Sequence, residues 1–218
     1  MEFLLLLLSG SGGLGLRAAR RHRRVVVSGT LRDAPSLFAP FSPSPTSVID
    51  AVWKRLTDEG VTLRADELLV DLGCGDGRWL VSGVQQFGCR ALGIELDPVL
   101  VRTAKEAVEA AGLKDRIEVV EADILKVPVR AARLVIVYAF AESLHGIREY
   151  LIEQLREEAL VLSIGFRVPD WKPRWSDRVG ALRWYLYEMR STTATEDVKD
   201  ALATETITTM PAAARGAA

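Results

Sequence analysis

The run Val70-Asp71-Leu72-Gly73-Cys74-Gly75-Asp76-Gly77-Arg78 constrains this chain more than any other stretch. The apolar residues Leu68, Leu69 and Val70 lead into it. Trp79, Leu80, Val81, Val84 and Phe87 follow at the spacing of a buried helix face. The pattern reads as strand, glycine turn, helix. Glycines at every second position leave no Cβ to hold off a bulky ligand. Glu95 closes the next apolar run, Ala91-Leu92-Gly93-Ile94, where a carboxylate can accept from both hydroxyls of a ribose. Turn and acid in this order point to a ligand that carries a nucleoside.

The glycine spacing narrows the ligand. A dinucleotide turn reads G-x-G-x-x-G and faces a pyrophosphate. Here the spacing is G-x-G-x-G, with Asp71 before it and Asp76 inside it. Carboxylates there would repel a pyrophosphate and suit a cation, which argues against an NAD-dependent oxidoreductase. The same residues admit a plain reading: a structural turn with no ligand, Asp76 as a helix cap and Arg78 as a solvated residue. Cys74 needs only to be small.

The rest of the chain alternates strand and helix. A helix carrying Val48, Ile49, Val52, Trp53 and Leu56, capped by Thr46 or Ser47, should pack at the sheet edge and close the ligand pocket. The first strand ends at Leu72 and its helix spans Asp76 to Phe87, with Gly88 just beyond. Strand two covers Arg90 to Glu95. Asp97 caps the next helix and Pro98 takes its first position; that helix stops at Gly112. Further strands are expected at Arg116–Val120, Arg133–Tyr138, Leu160–Phe166 and Leu182–Met189, and a helix at Glu142–Glu157. The fold expected is α/β, a doubly wound, mostly parallel Rossmann-like sheet in one domain.

The ends differ from that middle. Residues 1–34 hold Leu4 to Leu8 and then Arg17, Arg20, Arg21, Arg23, Arg24 and Arg32, with no acid between Phe3 and Arg32. An arginine-rich, acid-poor start reads as a mitochondrial targeting segment; a membrane anchor and a solvated tail are the alternatives. Residues 35–190 form the expected domain, and 191–218 a low-complexity, disordered tail. The 218-residue chain has a net charge of −1. Without its arginine cluster the remainder is acidic, so no nucleic-acid partner is expected and a basic protein is the better fit. Two cysteines and two histidines without ligand spacing give no expected metal site.

The pattern D-x-G-x-G-x-G with an acidic end to the second strand resembles the class I methyltransferases that use S-adenosylmethionine. The resemblance narrows through Pro45-Thr46, Gly93-Ile94-Glu95-Leu96-Asp97-Pro98, Val137-Tyr138 and Asp170-Trp171-Lys172-Pro173. These are similar to the lysine methyltransferases of the ATP synthase c-subunit and the adenine nucleotide translocase, with their bacterial relatives. It implies that Asp71 reaches the methionine amine and that Gly73, Gly75 and Gly77 line the methionine and ribose. Glu95 holds the ribose hydroxyls, Asp123 accepts from the adenine amine, and Leu96 or Ile124 lies against the ring. Tyr138 and Glu142 stand where the acceptor approaches, with the Trp171 segment bordering its channel. Tyr138 as pocket wall and Glu142 as a helix-terminal acid are the plainer alternatives. The acceptor implied is a lysine on a protein, a mitochondrial membrane protein among the candidates, with membrane association through the N-terminal segment. The [DN]-P-P-[YF] signature of amide and exocyclic-amine methylation is absent after strand four. Methylation of a small molecule or RNA, and a non-catalytic assembly role on the same fold, are the rivals.

Overall fold

The computed structural model describes residues 41–190. The N-terminal segment 1–34 and the tail 191–218, with the targeting and tail readings attached to them, lie outside the described residues.

In chain order the elements are α1 (Thr46–Asp58), β1 (Leu68–Leu72), α2 (Arg78–Phe87), β2 (Arg90–Glu95), α3 (Pro98–Ala110), β3 (Ile117–Glu121), β4 (Ala132–Val137), α4 (Ala141–Gln154), β5 (Leu160–Ile164), β6 (Trp175–Val179) and β7 (Leu182–Glu188). The strands form one sheet in the order β3-β2-β1-β4-β5-β7-β6. Strands β1 to β5 pair in parallel, and β7 runs antiparallel to β5 and to β6. The chain winds outward from β1 to β3 and then returns to lay β4 on β1's other side. The winding thus reverses between β1 and β4, and ligands of such sheets bind in the crevice at the carboxyl ends of the strands at that point.

Side-chain alternation along the strands builds two cores. Leu69, Leu134, Ile136, Leu162, Ile164 and Trp184 join the face covered by α1, α2 and α3. Val70, Leu72, Val135, Val137, Val161 and Tyr187 join the face under α4. Burial on both sides explains why Leu-Val-Ile-Val reads as an unbroken apolar run.

Local signals act largely as expected. Asp97 Oδ1 accepts from Val99 N–H at 2.8 Å, with Pro98 at the first helical position. Gly88 ends α2 in the left-handed region at φ 67°, its N–H on the Val84 carbonyl. Helix α1 buries the five apolar residues expected of it. It packs on α2 through Trp53, whose ring meets Trp79 and Phe87 edge-on, and reaches edge strand β6 through Arg55 and Asp177.

Three expectations need correction. No side chain caps α1: Thr46 is already helical, and the Pro45 carbonyl accepts from Val48 and Ile49. Helix α4 stops at Gln154 because Leu155 turns extended, at φ −85° and ψ 139°. Strand β6 was not expected at all. Its inner residues Ser176, Asp177 and Arg178 are exposed, as an edge strand allows, so no apolar run marks it. It exists because β7 offers a free edge and Trp175 can rest against Trp184.

Candidate active site

The turn after β1 gathers three acids. Asp76 is held by Arg78, whose Nε lies 2.9 Å from Oδ1, and that guanidinium keeps the Asp76 carboxyl below its ordinary range. Arg78 also donates to the Ser44 carbonyl at 2.7 Å, so it is an anchor and not the solvated residue expected. Glu95, at the tip of β2, accepts three backbone N–H groups: Gly75 on Oε2 at 3.0 Å, with Leu96 at 2.8 Å and Asp97 at 3.0 Å on Oε1. A carboxylate offers about four acceptor sites. One direction on Oε2 therefore stays open, and the three N–H groups hold it in place.

Asp71 is different. Its carboxyl is buried, and among the described residues no donor reaches it. Burial first, then the Glu95 and Asp76 charges, push it up to about 8. A buried carboxyl that no donor reaches fits a cationic ligand, because the cation of the turn, Arg78, is bound to Asp76 and Ser44 instead. Burial and the same acids also raise the Cys74 thiol, which packs its sulfur against Gly93, so the expected bland role of this cysteine holds.

The glycines divide by function. Gly73, at φ 81°, has nothing within 4 Å of the place a Cβ would take, an open cradle beside Asp71. At Gly75 a Cβ would stand 2.5 Å from the Phe41 ring. At Gly77 it would meet Ala104 of α3 at 3.1 Å. The missing side chain of Gly77 thus serves helix packing at the start of α2, while its backbone stays part of the turn.

The remaining candidates spread along the carboxyl edge. Leu96 is half-buried, whereas Ile124 is buried in the α4-side core, leaving Leu96 the freer apolar face. Asp123 Oδ1 accepts from Leu125 N–H at 3.0 Å, an Asx turn that orients the carboxylate. Tyr138 leans on the α1 side of the sheet, its ring 3.2 Å from where a Gly165 Cβ would stand. Among the described residues its hydroxyl has no partner. Glu142 is exposed in the first turn of α4. The Trp171 segment is not with them. Trp171 packs on Tyr187, which pairs with Val161 well back from the carboxyl end of β5, on the opposite face from Tyr138. The loop is drawn there because Val168 N–H donates to the Tyr187 hydroxyl at 2.9 Å.

Sequence reasoning missed the Ser44 anchor. Ser44 is buried; its hydroxyl accepts from the Trp79 indole at 3.1 Å and its carbonyl from Arg78. The only signal was an indole donor on a buried helix face, which needs some partner.

A sheet of this order, with an unpaired buried carboxyl behind a glycine cradle, defines the class I methyltransferase architecture. Residues 71–175 match the family described as the ANTKMT methyltransferase domain. The chain is 26% identical to a protein-lysine N-methyltransferase of Saccharolobus islandicus, over 62% of this chain and 81% of that protein. It is 36% identical to the adenine nucleotide translocase lysine N-methyltransferase of Mus musculus, over 48% of this chain but only 46% of that protein, so it spans about half of the mouse relative. It superimposes on an RNA methyltransferase from Salinibacter ruber, solved with S-adenosylhomocysteine, with a TM-score of 0.62 and 29% identity, over 69% of this chain and 95% of that one. The fold is that of the class I methyltransferases, and the chain is an S-adenosylmethionine-dependent methyltransferase with S-adenosylmethionine as its cofactor.

Proposed function

We propose that this protein is a protein-lysine N-methyltransferase and that it acts in mitochondria. The observation that carries the reading is the ANTKMT domain match over residues 71–175, joined to a relative named for protein lysine that aligns over 81% of its own length. The mouse relative's name and the acid-free, arginine-rich N-terminal sequence support the compartment. That sequence also leaves room for membrane association and for a membrane protein as substrate.

The residue roles follow from the chemistry of each group. Asp71 holds the methionine ammonium, which relieves its burial. Glu95 offers its open Oε2 direction to a ribose hydroxyl. Gly73 and Gly75 let the backbone approach, and Gly77 gives the turn its left-handed corner at φ 78°. Asp123 accepts from the adenine amine, with Leu96 against the ring and Ile124 behind it. The cofactor supplies an activated methyl carbon on a positive sulfur, so alignment of the acceptor contributes most of the acceleration. The acceptor lysine must arrive neutral. Tyr138, with its free hydroxyl, and Glu142 are the groups placed to accept or relay its proton and to orient the amine. The aromatic face of Tyr138 suits the apolar lysine stem.

Incubating the full chain with methyl-labelled S-adenosylmethionine and mitochondrial extract tests the reading. Label lost on protease digestion and recovered as methyl-lysine is the expected result. Label lost on nuclease digestion would overturn it in favour of RNA methylation, a reading favoured only by the name of the Salinibacter relative.

A further inference from the structure

We propose that Phe41 is a cofactor-contacting residue, carried by a strap that lies over the glycine turn. The inference rests on the cofactor assignment above and goes beyond it, because Phe41 lies outside the matched domain.

The strap is anchored close to Phe41. Ser44 is the anchor, buried and held by two hydrogen bonds, from the Trp79 indole and the Arg78 guanidinium. Arg78 is in turn bound to Asp76, inside the glycine turn, so the anchor is tied to the wall of the site. Phe41 lies three residues before that anchor. Among the described residues Phe41, Ser42 and Pro43 make no hydrogen bond, and the Phe41 ring is 47% exposed.

The seat of that ring is specific. It rests where a side chain at position 75 would be, 2.5 Å from the ideal Cβ. Gly75 has its N–H on Glu95 Oε2, so the ring and the acid proposed for the ribose flank one residue. A half-exposed aromatic ring set against bare backbone gains little by itself. The same ring laid over a bound adenosyl ligand would shed water from both partners. Short reach and a nearby anchor make that closure cheap in chain entropy.

The test compares S-adenosylhomocysteine binding to the full-length wild type, F41A and F41L by calorimetry and stopped-flow, with thermal melts of the ligand-free proteins. F41A should weaken affinity about tenfold, through faster dissociation, and F41L should lose less. The ligand-free melting temperature should not move, since the ring is half exposed. Equal affinity in all three proteins would overturn the assignment. Tighter binding by F41A would overturn it too, making the ring a plug and not a cover. If the wild type itself fails to bind, the cofactor reading fails first, and the melts show whether the proteins were folded.

Discussion

The β1–β2 end of the sheet and the β4–β5 end meet at the same crevice but are built differently. At the first, Asp76 and Glu95 are held by an arginine and three backbone N–H groups, and one acid alone is left without a partner. At the second, the Tyr138 hydroxyl and the Glu142 carboxylate have no hydrogen bond among the described residues. Phe140 and Phe166 stand exposed there with ring centroids 6.4 Å apart. The contrast is between a half whose polar groups are held by the chain itself and a half whose polar groups are left without partners, which supports the proposed division between cofactor and acceptor. A cofactor of constant shape rewards rigid acceptors; a protein acceptor, whose chain arrives with its own polar groups, is better met by rings and unpaired groups.

Substitutions can break that contrast, beginning with the largest expected effect. Asp71→Asn should weaken S-adenosylhomocysteine binding by about a hundredfold or more, because an ammonium would be buried without its counter-charge. The same change should stabilise the ligand-free protein in alkaline solution. The Asp71 carboxyl is raised from 3.8 to about 8, so the folded state holds the extra proton between those values. Stability therefore falls as pH rises through that interval, and the asparagine variant should lose that fall. Thermal melts between pH 5 and pH 9 (a span chosen by that rule) read it directly. Calorimetry near neutral pH in buffers of different ionisation enthalpy should show wild type releasing a proton on binding, and the variant none. An unchanged affinity in Asp71→Asn would remove the cationic contact from the site.

Glu95→Ala should weaken binding by roughly ten- to a hundredfold, since a charged acceptor is lost along with the brace on Gly75. Far-ultraviolet circular dichroism should stay unchanged; equal affinity would refute the ribose assignment. Gly165→Ala probes the other half. Its Cβ would press on the Tyr138 ring, at a backbone φ of 86° that alanine resists. Turnover should fall about tenfold while S-adenosylhomocysteine affinity holds. A matching loss of cofactor affinity would erase the division between the halves. The smallest effect is expected for Phe140→Ala and Phe166→Ala, which should raise the KM for the protein acceptor severalfold and leave the free amino acid lysine, if accepted at all, unaffected. A change in cofactor affinity instead would place the pair on the wrong side of the crevice.

Legibility in the sequence follows the range of the interactions. Strand β1, its turn and the Asp97-Pro98 cap were readable because partners lie within a few residues and each leaves a local pattern. Strand β6 was not, because its residues are polar and its reason for existing is β7. The Trp171-Lys172-Pro173 motif was visible as residues but not as a place. The ring contact of Trp171 with Tyr187 and the hydrogen bond from Val168 to the same tyrosine place it against the other face of the sheet. Gly77 shows a subtler loss: a motif glycine looks like its neighbours in sequence, and only Ala104 of α3 distinguishes its purpose.

By itself, the sequence determined the class of fold and the cofactor, because glycine spacing and strand-end carboxylates are short-range chemistry. Tertiary structure alone decided which acid stands unpaired, that Ser44 anchors a strap on Trp79 and Arg78, and that Tyr138 and Trp171 lie on opposite faces. Those depend on groups far apart in the chain, and nothing in a local pattern encodes which distant donor will arrive.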